Sequence, residues 1–366
     1  MMLYIVIVNN LEMKKYNVLA VILLGVLLCN CVGTKETFLS INEDVLKAQY
    51  FQKDALSLEI LNPKTQKVDS IVYTLNDKKV GIIKGAAKFL FALKDQKLGY
   101  QNIKATIFSD GEKVQDSARI EIVSDFEPKL LTYTIVNTYA HDTTAYTEGL
   151  EFYNNFLYEG TGNGEGPSGK RGISSLRKVD YKTGKVLQSV EYPETVFGEG
   201  ISILNGKIYQ LTWKNNEVYV YDVNTFKKEK TMPYFKTMEG WGMTHDDKYL
   251  YYNDSSETIH KIDPSTFKSV DNIKVYSGGT KIPSVNELEW VDGKIYSNIY
   301  QKDAVIIINP ANGAVEGIIN FADLKKKITK LPDTDVLNGI AYNKKTKTFF
   351  ITGKNWDKMF EVKINN

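Results

Sequence analysis

The residues of this chain whose types could do chemistry recur at a regular spacing. A first ring of residues opens five similar triplets: Glu148-Gly149-Leu150, Glu199-Gly200-Ile201, Trp241-Gly242-Met243, Asn286-Glu287-Leu288 and Asn338-Gly339-Ile340. The middle residues of successive triplets are 51, 42, 45 and 52 positions apart. A second ring lies five residues after the start of an apolar–aromatic pair in each repeat: Gly162, Trp213, Ser255, Tyr300 and Lys354. Together the rings hold carboxylates, an ammonium group, amides and large aromatic side chains.

These side-chain types suit acid–base chemistry on a small polar ligand. A carboxyl group can act as general acid and base, and aromatic rings with a polar handle beside it form an amphipathic pocket. In one alternative, the polar side chains hydrate a channel and the aromatic ones fill the packing. In another, Glu148 and Glu199 are the carboxylate pair of a glycoside hydrolase, whose required separation the sequence does not give. The combination of residues favours the ligand pocket.

The elements that must position these residues follow from the same repeat. Self-similarity at this period in a strand-rich chain is typical of a β-propeller, in which equivalent positions form rings around a central axis. Hairpin residues such as Asn205-Gly206 separate two strands, and a third strand ends in an acidic or amide residue such as Asp222. Each repeat therefore predicts a four-stranded antiparallel blade, and residues 131–366 are predicted to form five blades.

The ring of blades needs a closing strand. The last repeat runs out near Val362 after three strands, and residues 133–137 precede the first triplet. We expect this earlier segment to supply the missing outer strand, because an open propeller would leave two bare sheet edges.

Residues 35–126 lack the repeat and show short alternating segments instead, such as 56–60, 87–91 and 118–123. Short alternating strands separated by turns over some 90 residues predict an Ig-like β-sandwich without the disulfide of antibody domains. The fold class predicted for the whole chain is therefore all-β, with a sandwich preceding a five-bladed propeller.

The first 31 residues resemble an export signal. Met13 is the expected true start, since Lys14-Lys15 and an apolar run over 18–28 follow it and lead to Cys29 and Cys31. A basic segment, a short apolar segment and a cysteine at the cleavage point predict a bacterial lipoprotein lipidated at Cys31, with Cys29 as the alternative. A plain signal peptide or a single membrane span are the other interpretations, although the apolar run is short for a span. The predicted location is the bacterial cell envelope, with membrane contact through the lipid anchor only.

Composition argues against other classes of ligand. The formal net charge is +2 and no basic block occurs, which argues against nucleic acid. The three histidines, His141, His245 and His260, have no zinc-ligand spacing, and both cysteines lie in the leader. We therefore expect no metal and no cofactor. We also expect the protein to be a monomer.

Several runs are similar to one known family. They are His141-Asp-Thr-Thr-Ala-Tyr-Thr-Glu-Gly-Leu150, Phe197-Gly-Glu-Gly-Ile201, Gln210-Leu-Thr-Trp213, Gly240-Trp-Gly-Met243, Asn286-Glu-Leu-Glu-Trp290, Asn298-Ile-Tyr-Gln301, Leu337-Asn-Gly-Ile-Ala-Tyr342 and Thr352-Gly-Lys-Asn-Trp356. In order, and across every repeat from about 133 to 364, they resemble the plant and bacterial type of glutaminyl-peptide cyclotransferase, the five-bladed glutamine cyclotransferase family. The zinc-dependent glutaminyl cyclases of animals have a different fold.

The resemblance implies a reaction and roles for the ring residues. An N-terminal glutamine would close on itself to pyroglutamate with release of ammonia, and Glu199 would carry the protons. Two positions depart from the family's commonest pattern, which has Gln where this chain has Glu148 and Trp where it has Tyr300. The residues expected to bind the glutaminyl peptide are Glu148, Trp213, Trp241, Asn286, Tyr300, Asn338 and Lys354.

Within this scheme the aromatic residues would hold the glutaminyl side chain folded over its own amine. Asn286 and Lys354 are candidates to hydrogen-bond the carbonyl oxygen as it becomes an oxyanion. The competing hypothesis is a non-catalytic propeller lipoprotein that binds a peptide or a glycan in the same aromatic funnel.

Overall fold

The computed structural model describes residues 38–365, and this part of the chain is almost entirely β-structure. Two single-turn 3₁₀ helices, Glu43–Val45 and Leu324–Lys326, interrupt the strands. The leader and both cysteines lie outside the described residues. Among those described, none forms a helix long and apolar enough to cross a bilayer.

Nine strands form the N-terminal part: β1 (Ser40–Ile41), β2 (Gln49–Phe51), β3 (Ala55–Leu58), β4 (Ile60–Leu61), β5 (Ser70–Leu75), β6 (Lys78–Lys84), β7 (Phe89–Ala92), β8 (Gly99–Ser109) and β9 (Glu112–Val123). One sheet has the order β2-β9-β8-β5-β6, and the pairs β1–β4 and β3–β7 make up the other side. Alternate residues of β5, such as Ile71 and Tyr73, are buried in a core that Leu56 and Leu58 complete. The five-stranded sheet and the two strand pairs thus form the two layers of a sandwich. That this sandwich is Ig-like stays a prediction.

The rest of the chain is a ring of antiparallel blades. Its first strand in the chain is β10 (Lys129–Ala140), which belongs to blade 5 and is described below. The first three blades are β11 (Tyr146–Tyr153), β12 (Phe156–Gly162), β13 (Ser175–Asp180) and β14 (Lys185–Glu191); β15 (Gly198–Leu204), β16 (Lys207–Thr212), β17 (Glu217–Asp222) and β18 (Lys228–Pro233); and β19 (Met243–His245), β20 (Leu250–Asn253), β21 (Thr258–Ile262) and β22 (Ser269–Lys274).

A short hairpin, β23 (Tyr276–Ser277) and β24 (Thr280–Lys281), follows the third blade. The last two blades contain β25 (Val285–Val291), β26 (Lys294–Ile299), β27 (Ala304–Ile308) and β28 (Val315–Asn320), and then β29 (Leu337–Asn343), β30 (Thr348–Gly353) and β31 (Lys358–Asn365). Residues 124–128 link β9 to β10. The predicted domain bounds, 35–126 and 131–366, stay a prediction.

Strand β10 closes the ring as predicted. It pairs antiparallel with β31 from Thr132 opposite Asn365 to Ala140 opposite Lys358, and so becomes the fourth strand of blade 5. Its first residues, Lys129 to Leu131, also pair in parallel with β28 of blade 4. Blades 4 and 5 are therefore joined into one eight-stranded sheet.

The turn residues behave as predicted in three of the four hairpins. Asn154-Asn155, Asn205-Gly206 and Asp292-Gly293 all adopt positive φ, as their residue types allow. In blade 3 the hairpin is different: a carboxylate oxygen of Asp246 accepts hydrogen bonds from the backbone N–H groups of Lys248 and Tyr249, at 2.7 and 2.6 Å. This Asx-type turn holds a longer loop without requiring positive φ at Asp246-Asp247.

The innermost strands approach one another closely at the middle residues of the triplets. A Cβ atom at Gly149 would lie 2.5 Å from the backbone nitrogen of Ile201, so only glycine fits there. The exception is Glu287, whose fully buried carboxyl oxygens accept the backbone N–H groups of Leu150 and Ile340 at 3.1 and 3.0 Å. This one side chain therefore fastens the innermost strands of three blades together across the axis.

The hairpin β23–β24 docks the propeller against the sandwich. The Tyr276 ring packs in the sandwich core, and its hydroxyl donates to the Glu121 carboxylate at 2.7 Å. Lys281 pairs with the same carboxylate at 3.3 Å.

Candidate active site

A β-bulge at the first ring aims its side chains at the axis. The strand register shifts between Thr147 and Gly149 in β11, and at the same place in β15, β25 and β29. A bulge leaves one residue out of the ladder and redirects its side chain. Four first-ring residues stand at these bulges, namely Glu148, Glu199, Asn286 and Asn338, while Trp241 lies just before β19.

A buried ion pair joins the two rings. The Lys354 ammonium lies 2.7 Å from one carboxyl oxygen of Glu148, and both side chains are about 95% buried. The Asn338 side-chain amide donates to the other Glu148 oxygen at 3.3 Å and to the Thr147 carbonyl at 2.9 Å. Burial raises the pKa of Glu148 to about 7, against the lowering effect of the Lys354 charge. Glu148 is thus held by the protein and poised to exchange a proton near neutral pH.

Glu199 is buried beside this pair but is held differently. It is 5% exposed, and one of its carboxyl oxygens makes no hydrogen bond to any residue that the structure describes. Burial first, and then the negative charge of Glu148, raise the pKa of Glu199 well above its usual range, while the Lys354 charge opposes the shift. A carboxyl group in these surroundings holds a proton more readily than a free carboxyl group, and its unpartnered oxygen is available to a ligand.

Aromatic rings pack beside the ion pair. Trp241 and Tyr300 meet edge to face with ring centroids 5.4 Å apart, and Trp213 packs on Phe197 at 5.5 Å. The Lys354 ammonium lies 5.5 Å from the Tyr300 ring centroid. The predicted wall residues therefore occupy the same end of the channel as the ion pair.

Two amides complete the set of predicted residues. The side-chain carbonyl oxygens of Asn286 and Asn338 are buried and have no hydrogen-bond partner among residues 38–365. Buried amide groups normally have hydrogen-bond partners. Because these two oxygens have none within the protein, both are free to accept hydrogen bonds from a ligand.

Two second-ring positions contribute no functional group. A Cβ atom at Gly162 would overlap the Phe197 ring, so the glycine makes room for that aromatic side chain. The backbone carbonyl of Ser255 accepts the N–H of Ser284 at 3.1 Å, which makes it part of the frame.

Sequence reasoning missed a third layer of the site. Tyr146, Phe197 and Glu239 each stand two residues before a first-ring residue. The Tyr146 ring lies 4.5 Å from the Lys354 ammonium and packs edge to face on Phe197. Glu239 accepts the indole N–H of Trp241 at 3.1 Å. Their shared position, two residues before a first-ring residue, was the available signal.

Asp335 was also missed, and no repeat position marks it. Its carboxylate accepts the Tyr146 hydroxyl at 3.2 Å. Burial first, and then the charges of Glu148 and Asp335, raise the pKa of the Tyr146 hydroxyl far above its ordinary value. Tyr146 therefore stays neutral and fixed in place under Lys354.

The histidines do not belong to either ring. His141 bridges the Trp356 carbonyl at 2.9 Å and the Glu159 carboxylate at 3.0 Å, and so braces the closure between blades 5 and 1. His260 pairs with Asp254 at 2.8 Å. Across residues 38–365, no three His, Cys, Asp or Glu side chains cluster as a metal ion would require. The expectation that the protein needs no metal stays a prediction.

These features define a class of protein: a five-bladed β-propeller with a polar, aromatic-walled site built around buried carboxyl groups at one end of its channel. A sequence model of the family described as glutamine cyclotransferase matches residues 107–364. The match extends over well over half of the chain, and the chain belongs to the glutamine cyclotransferase family.

Two relatives agree with this assignment. The chain is 33% identical over 243 residues to a glutaminyl-peptide cyclotransferase of Arabidopsis thaliana, which covers 66% of this chain and 73% of the relative. The crystal structure of a Myxococcus xanthus glutaminyl cyclase superposes with a TM-score of 0.59 at 29% identity, covering 65% of this chain and 99% of that one. The family resemblance expected from the sequence motifs is confirmed.

Proposed function

We propose that this protein is a glutaminyl-peptide cyclotransferase in which Glu199 is the general acid and base. The observation that carries the proposal is the Glu199 carboxyl group, which is buried, has one unpartnered oxygen and lies beside a fixed Glu148–Lys354 pair. Family membership indicates which reaction the protein catalyses. The surroundings of Glu199 make this residue the best candidate to transfer the protons in that reaction.

The reaction requires one bond to form and one to break. The neutral α-amine of the N-terminal glutamine attacks the side-chain amide carbon, and the bond from that carbon to the amide nitrogen then breaks. An amide nitrogen leaves readily only when protonated, and the attacking amine must lose a proton. A protonated Glu199 gives its proton to the departing nitrogen and recovers one from the amine, so the products are ammonia and a pyroglutamyl peptide and the enzyme is unchanged.

The surrounding residues would position the substrate for this transfer. Trp213, Trp241 and Tyr300 restrict the glutaminyl side chain to a conformer folded over its amine, which contributes through proximity. The unpartnered carbonyl oxygens of Asn286 and Asn338 are suited to accept N–H groups of the amine and the amide. This differs from the sequence-based expectation, in which Asn286 donated to the oxyanion.

The Lys354 ammonium remains the candidate to stabilise the oxyanion. It uses one N–H on Glu148, and its other donors are free to face the amide oxygen. Glu148 would keep that ammonium in position, a role the Gln common in the family would fill without charge.

We also propose that the mature protein is a monomeric lipoprotein of the bacterial cell envelope, periplasmic or surface-facing, anchored through Cys31 only. Support comes from the sequence pattern of residues 13–31, which lie outside the described part of the chain. The substrates would be peptides or proteins that begin with glutamine, and the sandwich would separate the propeller from the anchor.

A direct assay tests the activity. Purified protein is incubated with a glutamine-initiated dipeptide, and ammonia and pyroglutamyl product are measured together. Stoichiometric formation of both supports the proposal. Binding of the dipeptide without either product would favour the non-catalytic binding propeller.

A further inference from the structure

The propeller has a cavity at the end of its channel away from the Glu199 site, which we name the lower cavity. It has a volume of about 580 Å³, and its buried floor includes Glu151, Ile203, Thr244 and Glu289. These residues stand two or three positions after the middle residues of their triplets, on the side away from the first ring. Three residues of strand span roughly 10 Å, so the lower cavity is separate from the Glu199 site.

Two floor residues present polar groups that the protein leaves without partners. Glu289 is 8% exposed; one of its oxygens accepts the Tyr342 N–H at 2.8 Å, and the other makes no hydrogen bond to the described residues. The Thr244 side chain is 2% exposed, and its hydroxyl likewise bonds to none of residues 38–365. Both side chains line the cavity. Both side chains are largely buried, yet these two polar groups are open to the cavity, so a ligand held there can pair with them.

Glu151 also lies on the floor of the lower cavity, but both of its carboxyl oxygens have partners within the protein. One of its oxygens accepts the Ile203 N–H at 2.8 Å, and the other lies 3.3 Å from His245. Burial lowers the pKa of His245, but the hydrogen bond and the charge of Glu151 outweigh this effect and raise the pKa to about 9. The positive charge of His245 therefore offsets the negative charge of Glu151. His245 is therefore a half-buried structural partner of Glu151.

The charges of the lower cavity are separated between floor and rim. Glu289 offers an acceptor on the floor, whereas the exposed Lys344 and Lys345 offer ammonium groups at the mouth. The half-buried rings of Trp290 and Tyr342 also line the cavity. An acidic floor, aromatic side chains and a basic rim complement a ligand with an ammonium group at one end and a carboxylate at the other.

We propose that the lower cavity binds a free amino acid or dipeptide, with its ammonium group on Glu289 and Thr244 and its carboxylate on Lys344 and Lys345. The cavity volume is within the usual range for sites that hold small molecules. This inference does not depend on the cyclisation reaction, because it uses none of the residues of the Glu199 site.

Isothermal titration of the purified protein with alanyl-alanine tests the proposal. Alanyl-alanine has both charged ends but cannot cyclise like glutamine. We expect it to bind, and N-acetyl-alanyl-alanine and alanyl-alanine amide to bind at least about tenfold more weakly, because each lacks one charged end. Equal affinity of the three, binding of none of them, or binding of a neutral sugar such as maltose in place of the dipeptide would overturn it.

Variants test whether the dipeptide binds in the lower cavity. Glu289→Gln should weaken dipeptide binding at least about tenfold while keeping the hydrogen bond from Tyr342, and Thr244→Val should weaken it without changing the shape of the floor. Glu316→Gln is the matched control. Glu316 lies on β28, the outer strand of blade 4, where it pairs with Lys294, and it does not line the lower cavity. Trp241→Ala, at the opposite site, should also leave this binding unchanged.

Cyclisation of a glutamine-initiated peptide should be unaffected by Glu289→Gln. Unaltered dipeptide affinity in both Glu289→Gln and Thr244→Val, or loss of dipeptide binding in Trp241→Ala, would show that the lower cavity is not the site. If Glu289→Gln fails to fold, the Thr244→Val comparison decides alone.

Discussion

Lys354 and Glu148 are 206 residues apart in the sequence, yet the ammonium nitrogen of one lies 2.7 Å from a carboxyl oxygen of the other. The contact exists because closure of the ring sets blade 5 against blade 1. Both groups are buried, so removing either partner would leave a charge without compensation. Glu199 experiences both charges, one raising its pKa and one lowering it. Burial is the largest influence on the pKa of Glu199, and the charges of the pair adjust that pKa further.

Changing either member of the pair should shift the ionisation of Glu199 in opposite directions. Glu148→Gln removes a nearby negative charge, so the pKa of Glu199 should fall. Lys354→Met removes a positive charge, so that pKa should rise. The measurement is the pH dependence of kcat/KM on one glutamine-initiated peptide, in which the substrate amine ionises identically for all variants. Shifts of the same sign in both variants would contradict the electrostatic account.

Replacing Glu199 should stabilise the fold at alkaline pH. Its pKa is raised in the folded state, so the folded protein binds more protons than the unfolded chain above pH 4.5, and stability falls as the pH rises toward the folded pKa. Glu199→Gln removes this effect. We expect its Tm to exceed that of the wild type by a few degrees at pH 8, with little difference at pH 4.

The control for that experiment is Glu316→Gln, which lacks the burial of Glu199 and should not raise Tm at either pH. A Glu199→Gln protein that is equally stable or less stable at pH 8 would show that the carboxyl group is not held in an unfavourable environment.

The aromatic wall should affect turnover as well as affinity. Trp213→Ala and Trp241→Ala should lower kcat/KM more than the corresponding Phe replacements, because Phe retains part of the wall. A wall that enforces the folded conformer acts on kcat as well as on KM. Tyr300→Trp, which introduces the residue commonest in the family, should be tolerated. Steady-state kinetics that leave both constants unchanged in Trp213→Ala and Trp241→Ala would remove these residues from the site.

Lipidation should depend on one cysteine. We expect residues before Cys31 to be absent from the mature protein, and Cys31→Ser to move the protein to the soluble fraction in cells that process lipoproteins. Mass spectrometry of the mature N-terminus and membrane fractionation check this. Release by Cys29→Ser, with Cys31→Ser still membrane-bound, would assign the lipid to the other cysteine.

The repeat was sufficient to predict the blades, the closing strand and the position of the rings. Gly149, Gly200 and Gly242 lie where the innermost strands of neighbouring blades approach closely, so the sequence period corresponds to one layer of the propeller. The pairing of Lys354 with Glu148 could not be predicted, since it depends on the bulge at Thr147/Gly149 and on the exact rotation of blade 5 against blade 1.

Other residues could not be predicted from the sequence, for different reasons. Tyr146, Phe197 and Glu239 share a register but not a residue type, so no repeated letter marked them. Asp335 lies in a connection before β29, outside the repeating strands. The pairing of His245 with Glu151 could not be predicted, because it joins two blades that are distant in sequence.

The central claim is that Glu199 carries the protons of cyclisation, and ammonia release by Glu199→Gln tests it most directly. Gln retains the size of the side chain but cannot shuttle a proton. With folding verified by circular dichroism, we expect the variant to bind the glutamine-initiated peptide and to lose at least about 10²-fold in kcat relative to the wild type. A variant that releases ammonia within about tenfold of the wild-type rate would contradict the account.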